Sequence, residues 1–281
     1  MNIHESLANA AIFLASQRQA ASARGQQEKE TLWRYVRALR DFVHVTGQVY
    51  RFEDFLKRRS PTESPHISSR LSTHPGTFAP LAVDMLLETL DETPGPEQKQ
   101  HVLVLLALLD FIADTGQLDD VEDFFSNLLE YAPVAIAHFA SQAEAEAWLK
   151  GLAEPPSPAY ILIGDVYHRL WYTREDRTHG LYRDYAIEPA LEALVSRGLP
   201  PHAPSFSTRE EAEAWLMSHP AQPYAFVTIA GEHYFAVHHR RLKHHSLHHV
   251  ASALRDWEER KKAVELETAR EAAARADESG E

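Results

Sequence analysis

A chain of 281 residues that is 44% hydrophobic and 25% charged, with 11 Gly and 16 Pro, has ordinary globular composition, which excludes fibrous and wholly disordered classes. It has no Cys, which removes disulfides, Cys-ligated zinc, iron–sulfur clusters and thiol catalysis together. The 28 Lys and Arg against 41 Asp and Glu leave −13, a balance that disfavours general binding to nucleic acid or to an anionic membrane.

From the N-terminus, residues Asn2 to Gln19 read as a helix rather than a leader. No basic region precedes the apolar run Ala10 to Ala15, and His4 and Glu5 stand where Lys or Arg would be needed. The longest apolar stretch, Val102 to Leu109, is too short for a membrane span. The expectation is a cytoplasmic protein without membrane contact.

Two internal repeats then organise the chain. Leu39-Arg40-Asp41-Phe42-Val43-His44-Val45-Thr46-Gly47-Gln48, followed by Glu53-Asp54-Phe55, returns 69 residues later. The second copy is Leu108-Leu109-Asp110-Phe111-Ile112-Ala113-Asp114-Thr115-Gly116-Gln117, followed by Glu122-Asp123-Phe124. Each copy predicts an amphipathic helix that stops at Thr-Gly-Gln, with the Gly left-handed. A shorter helix follows, turning Phe52, Phe55 and Leu56, or Val121, Phe124 and Leu128, inward. A Pro- and Ser-rich loop, Ser60 to Pro80, and a helix at about Pro80 to Glu92 separate the copies. The repeated Glu-Asp pairs, with Asp119 and Asp120, invite a metal or acid/base reading. The simpler reading is that they complement helix N-termini, Asp119 or Asp120 as a cap. Charge separates the copies: residues 28–59 carry eight basic and five acidic side chains, whereas residues 97–130 carry one and eight. Such divergence suits surfaces specialised for different partners, or for each other.

The second repeat has an offset of 67. Phe139-Ala140-Ser141 and Glu144 to Leu149 return as Phe206-Ser207-Thr208 and Glu211 to Leu216. Each copy predicts a Ser- or Thr-capped helix with Ala, Trp and Leu inward, then a β-hairpin, then a closing helix. The hairpins pair Ala159–Ile163 with Val166–Tyr172, turning at Gly164-Asp165, and Tyr224–Ala230 with His233–His239, turning at Gly231-Glu232. The closing helices run from Ile187 to Arg197 and from Leu247 to about Lys262. The fold expected is α+β: a helical repeat domain over 1–133, sister α+β modules over 134–200 and 201–262, and a charged tail over 263–281, helical and fraying to disorder near Asp277.

Two segments carry chemistry. His238 to His249 holds seven residues of His, Arg and Lys before Ser246, with no acid between Glu232 and Asp256. If helical from Lys243, it aligns His244 with His248 for a divalent metal. A catalytic site would also need a third ligand, and the simpler reading is a polar helix start that needs no cofactor. Arg240, Arg241 and Lys243 form a cationic ridge for an acidic partner, strengthened when the flanking His residues protonate. In the sister copy, Tyr167, Arg169 and Trp171 alternate along a strand and are binding hot-spot types if exposed; a packed edge strand is the alternative.

The phrase Phe206-Ser207-Thr208, Glu211-Ala212-Glu213-Ala214-Trp215-Leu216, a hairpin turning at Ala230-Gly231-Glu232, then Tyr234 and His239-Arg240-Arg241 resembles a bacterial family of uncharacterised proteins. Some of its members are labelled phage head protein. The resemblance covers Phe206 to Leu247 well and Phe139 to Arg174 less well, departing at Asp165 and at Tyr172-Thr173. It implies an α+β fold and either a virion or a genomic-conflict role, and it brings no catalytic residue. The opening strand, Ser and helix are also similar to peptidoglycan-binding SPOR modules, whose extracytoplasmic context is missing here.

The function expected is non-enzymatic binding of another protein, of an immunity or adaptor type. The alternatives are a structural protein of a phage-like particle and a His-ligated metalloenzyme.

Overall fold

The computed structural model describes residues 3–58, 67–76 and 78–278, and the fold is α+β. Contacts divide the chain into two compact units. One comprises Met1–Leu128, Trp148–Tyr160 and Arg169–Leu181; the other comprises Leu129–Ala147, Ile161–His168 and Tyr182–Glu281. Among the described residues no single helix is long and apolar enough to cross a membrane.

The first unit is built on helices α1 (Ile3–Ala23), α2 (Gln27–Val45), α3 (Val49–Arg58), α4 (Ser69–Thr73), α5 (Phe78–Glu92), α6 (Pro96–Asp114) and α7 (Leu118–Ser126). The short α4 lies in the stretch expected to be loop, whose residues 60–66 fall outside those described. Asp110, fully buried on α6, accepts the Ser68 N–H at 2.8 Å, and Asp114 accepts the Ser68 hydroxyl at 2.7 Å, so two acids anchor the start of α4.

Gly47 and Gly116 end α2 and α6 at φ +68° and +71°, as the repeat predicts. The two stops share one hydrogen-bond scheme. Gln48 N–H donates to Val43 O and Gln117 N–H to Ile112 O, each at 2.9 Å, and Thr46 and Thr115 return their hydroxyls to Phe42 O and Phe111 O.

The copies also meet at matching positions. The Gln48 amide donates to the Gln117 side-chain oxygen at 2.8 Å, and the Gln117 amide returns the bond at 3.0 Å. Phe42 stacks edge-on with Phe124, and Phe111, its repeat equivalent, does so with Phe55, the equivalent of Phe124. Reciprocal contacts of this kind define a local two-fold relation between the repeats.

Three sequence expectations fail in this unit. Leu128 is 48% exposed, in a single 3₁₀ turn beyond α7, rather than inward. Asp119 and Asp120 lie in the first turn of α7, but its N-cap is Gln117, so neither Asp is the cap. Nor do Glu53 and Asp54 serve a helix start, because α3 has no acid in its first turn. Both instead bind the Arg174 guanidinium at 2.7–3.0 Å, together with Glu154, while Arg174 lies 4.7 Å over the Tyr50 ring.

Two four-stranded sheets follow, in the orders β1 (Ala135–Phe139), β2 (Ala159–Ile163), β3 (Val166–Thr173), β4 (Thr178–Arg183) and β5 (Ser205–Phe206), β6 (Tyr224–Ile229), β7 (Glu232–His239), β8 (His244–His249). Helices α8 (Gln142–Lys150), α9 (Glu188–Val195), α10 (Arg209–Ser218) and α11 (Val250–Glu278) complete the modules. Each module is therefore β-α-β-β-β-α, with strands before and after the parts expected.

The missed strands β4 and β8 have poor strand composition: one holds Gly180, the other four His in six residues. Leu247 belongs to β8, so the last helix starts at Val250 and runs unbroken to Glu278; residues 279–281 fall outside those described. The second hairpin turns at Ala230-Gly231, with φ +51° and +88°, one residue before the expected pair.

Thr208 and Glu211 form a capping box on α10, and Ser141 caps α8 through the Glu144 N–H. Ala212 and Leu216 are fully buried against Val227, Ala236 and Leu247, but Trp215 is only half-buried, stacked flat on His219 at 4.5 Å. Trp148 is likewise half-buried, so neither Trp is the inward anchor expected of it.

Candidate functional site

The His-rich segment folds as a strand. Arg240 to Leu242 form one 3₁₀ turn, Lys243 adopts φ +49°, and the chain doubles back so that His239 pairs with His244 and His238 with His245. His244 and His248 thus lie on one strand, ~13 Å apart at about 3.3 Å per residue, rather than on adjacent helical turns. The helical metal pair is not formed. Among the described residues no group of three or more His, Asp or Glu is placed to hold one ion.

The imidazoles are instead core groups. The His239 ring contacts the Ser246 hydroxyl at 2.8 Å, and Ser246 contacts His248 at 2.8 Å. The other ring nitrogen of His239 lies 3.4 Å from the Tyr167 hydroxyl, which donates to Pro133 O. His244 stacks on His138 at 4.2 Å and His245 on His238 at 4.5 Å. Burial foremost, with mutual repulsion behind it, lowers His239 to about 3 and His245 to about 4. His248 is lowered to about 4, also by burial, although Asp165 opposes the shift. These side chains stay neutral where an exposed His would charge, so they do not reinforce a cationic ridge.

The ridge itself divides. Arg240 donates to Glu130 at 2.9 Å and lies over the Tyr131 ring, so an acid distant in sequence meets it. Arg241 and Lys243 are exposed. Tyr167, expected on the surface, is 1% exposed and belongs to the His network. Asp165 at the neighbouring turn forms a two-pronged pair with Arg209 at 2.7 and 2.9 Å and accepts the Leu247 N–H. The departure from the second copy's turn is thus a structural anchor of the second unit.

In the first unit, Arg169 is exposed and Trp171 is 38% exposed. Gly180 lets the Trp171 ring lie flat on the neighbouring strand: a Cβ there would fall 2.3 Å from its indole nitrogen.

The second unit also holds an open groove of about 520 Å³ that the sequence reading missed. Its aromatic residues are Tyr182, Tyr185 and Trp257, with Arg183, Lys261 and Val264 beside them. Tyr182 is 48% and Val264 40% exposed. The walls are braced: Trp257 Nε1–H donates to Glu192 at 2.8 Å, Lys261 to Glu192 at 2.7 Å, and Arg183 to Asp256 at 2.9 Å. Arg183 also covers the Tyr185 ring at 4.7 Å. A signal was present, because at the 67-residue offset Tyr182 and Tyr185 face His249 and Ser252, so the aromatics belong to one copy alone.

No family model matches the chain, and neither does any curated protein or solved structure.

Proposed function

We propose that this is a non-enzymatic protein-interaction protein, of the immunity or adaptor type, whose contact site is the Tyr182–Trp257 groove. The observation that carries the reading is the combination in one open groove of three aromatic side chains with Arg and Lys, braced by hydrogen bonds. Trp, Tyr and Arg dominate binding hot spots, and pre-positioned side chains lose little freedom on binding. The ligand that fits is a segment of another protein inserting an aliphatic or aromatic side chain. The buried imidazoles support the same reading from the other side, since each is packed or bonded inside the sheet rather than presented to a substrate.

The test places a photo-crosslinking residue at position 182, with position 19 on α1 as control, in the native host, and identifies the crosslinked protein. The purified pair should then lose about 30-fold or more in affinity in Trp257→Ala, the usual weight of a hot-spot aromatic. No crosslink above the control, or unchanged affinity in both Trp257→Ala and Tyr182→Ala, overturns the proposal.

A further inference from the structure

Helices α1 and α2 enclose a second, separate hollow of about 240 Å³ in the first unit. It exists because α1 places Ala11 and Ala15 one turn apart where larger side chains would fill the space, while α2 presents Trp33 and two arginines. Its charged lining is entirely cationic: Arg18, Arg37 and Arg40. One carboxylate, Asp41, serves both Arg37 at 3.3 Å and Arg40 at 2.8 Å, and Arg18 has no acidic partner among the described residues. Trp33, 1% exposed, contributes a buried indole N–H with no acceptor among the described residues.

We infer that this hollow is a binding site for a small monoanion with an apolar body, a carboxylate on a short acyl or aryl group. The alanines and the Trp33 ring take the apolar part. The three guanidinium groups, short of two counter-charges, take the carboxylate, which their fork geometry suits. The volume equals that of about eight water molecules at roughly 30 Å³ each, which sets the size class at a medium-chain acid rather than a lipid.

Titration calorimetry of the full chain with octanoate and with 1-octanol tests the site. Octanoate should bind saturably at one per chain, and 1-octanol about tenfold more weakly or worse, because it lacks the charge. Ala11→Leu, which fills the hollow, should abolish octanoate binding while the circular dichroism spectrum is kept. The double variant Arg18→Gln, Arg37→Gln should weaken it about tenfold without filling the space. Absence of saturable octanoate binding overturns the inference, as does equal binding of the alcohol. Binding unaltered in both the filled and the charge-depleted variants, each shown folded, overturns it equally.

Discussion

Lowering the pH from 7 to 5 should destabilise the second unit selectively, and the cause is the row of buried imidazoles. His239, His245 and His248 are 4%, 5% and 9% exposed, and their native pKa values lie at about 3, 4 and 4 against 6.5 when free. Because the native values are lowered, the unfolded chain binds more protons between roughly pH 4 and 6.5. Stability is therefore complete above about 6.5 and is lost as the pH falls. A group with native pKa near 4 loses roughly 1.8 kcal/mol between pH 7 and 5, since one pKa unit is worth about 1.4 kcal/mol. Three independent groups would lose about 5 kcal/mol, comparable to the whole stability of many domains. The imidazoles repel one another once charged, so their titrations are coupled and the sum is an order of magnitude. The assay is hydrogen exchange followed by mass spectrometry across this range, comparing peptides from β6–β8 with peptides from α5 and α6. His245→Leu provides the control. Among the described residues neither His245 nitrogen has a hydrogen-bond partner, so the variant should gain about 1–3 kcal/mol at pH 7 and flatten the pH slope. Equal protection of β6–β8 at pH 7 and 5, or a His245→Leu protein less stable than wild type, would refute the reasoning.

Two further outcomes follow from the first unit. Gly47→Ala should cost clearly more than Gly116→Ala in urea unfolding, although both positions have positive φ. The added carbon at 47 would fall 2.6 Å from Pro156 Cβ, whereas at 116 the nearest atom is 3.8 Å away. About 1 kcal/mol is expected at 116 and about 2–4 kcal/mol at 47, and equal costs would contradict the close approach. Arg174→Met should cost about 2–3 kcal/mol near neutral pH, because it leaves Glu53, Asp54 and Glu154 facing one another half-buried. An unchanged urea midpoint would remove the cluster from the stability of this unit.

Where local rules act alone, the architecture is readable before folding. Gly47 and Gly116 could be placed at left-handed helix ends because a Thr-Gly-Gln stop is settled within a few residues. The hairpin of β2 and β3 follows from its alternating pattern for the same reason. The strand β8 could not be read that way. His has no strong preference, and what extends His244 to His249 is the bend at Lys243 and the ladder to β7, neither visible as a local pattern. The contact residues suffered similarly. Tyr167 has the composition of a surface hot spot, yet its hydroxyl finds Pro133 and His239, 34 and 72 residues away. Trp257 gave no sign of a groove, because Tyr185, its neighbour there, lies 72 residues earlier.

The reciprocal amide pair of Gln48 and Gln117 carries a consequence for ancestry. A contact in which each partner gives what it receives is self-complementary, so a single helical hairpin bearing one such Gln could have paired with an identical molecule. Joining two copies in one polypeptide makes that pairing independent of concentration and frees each half to change alone. The opposed charges of residues 28–59 and 97–130, net +3 and −7, are a divergence that an obligately symmetric pair of identical chains could not have acquired.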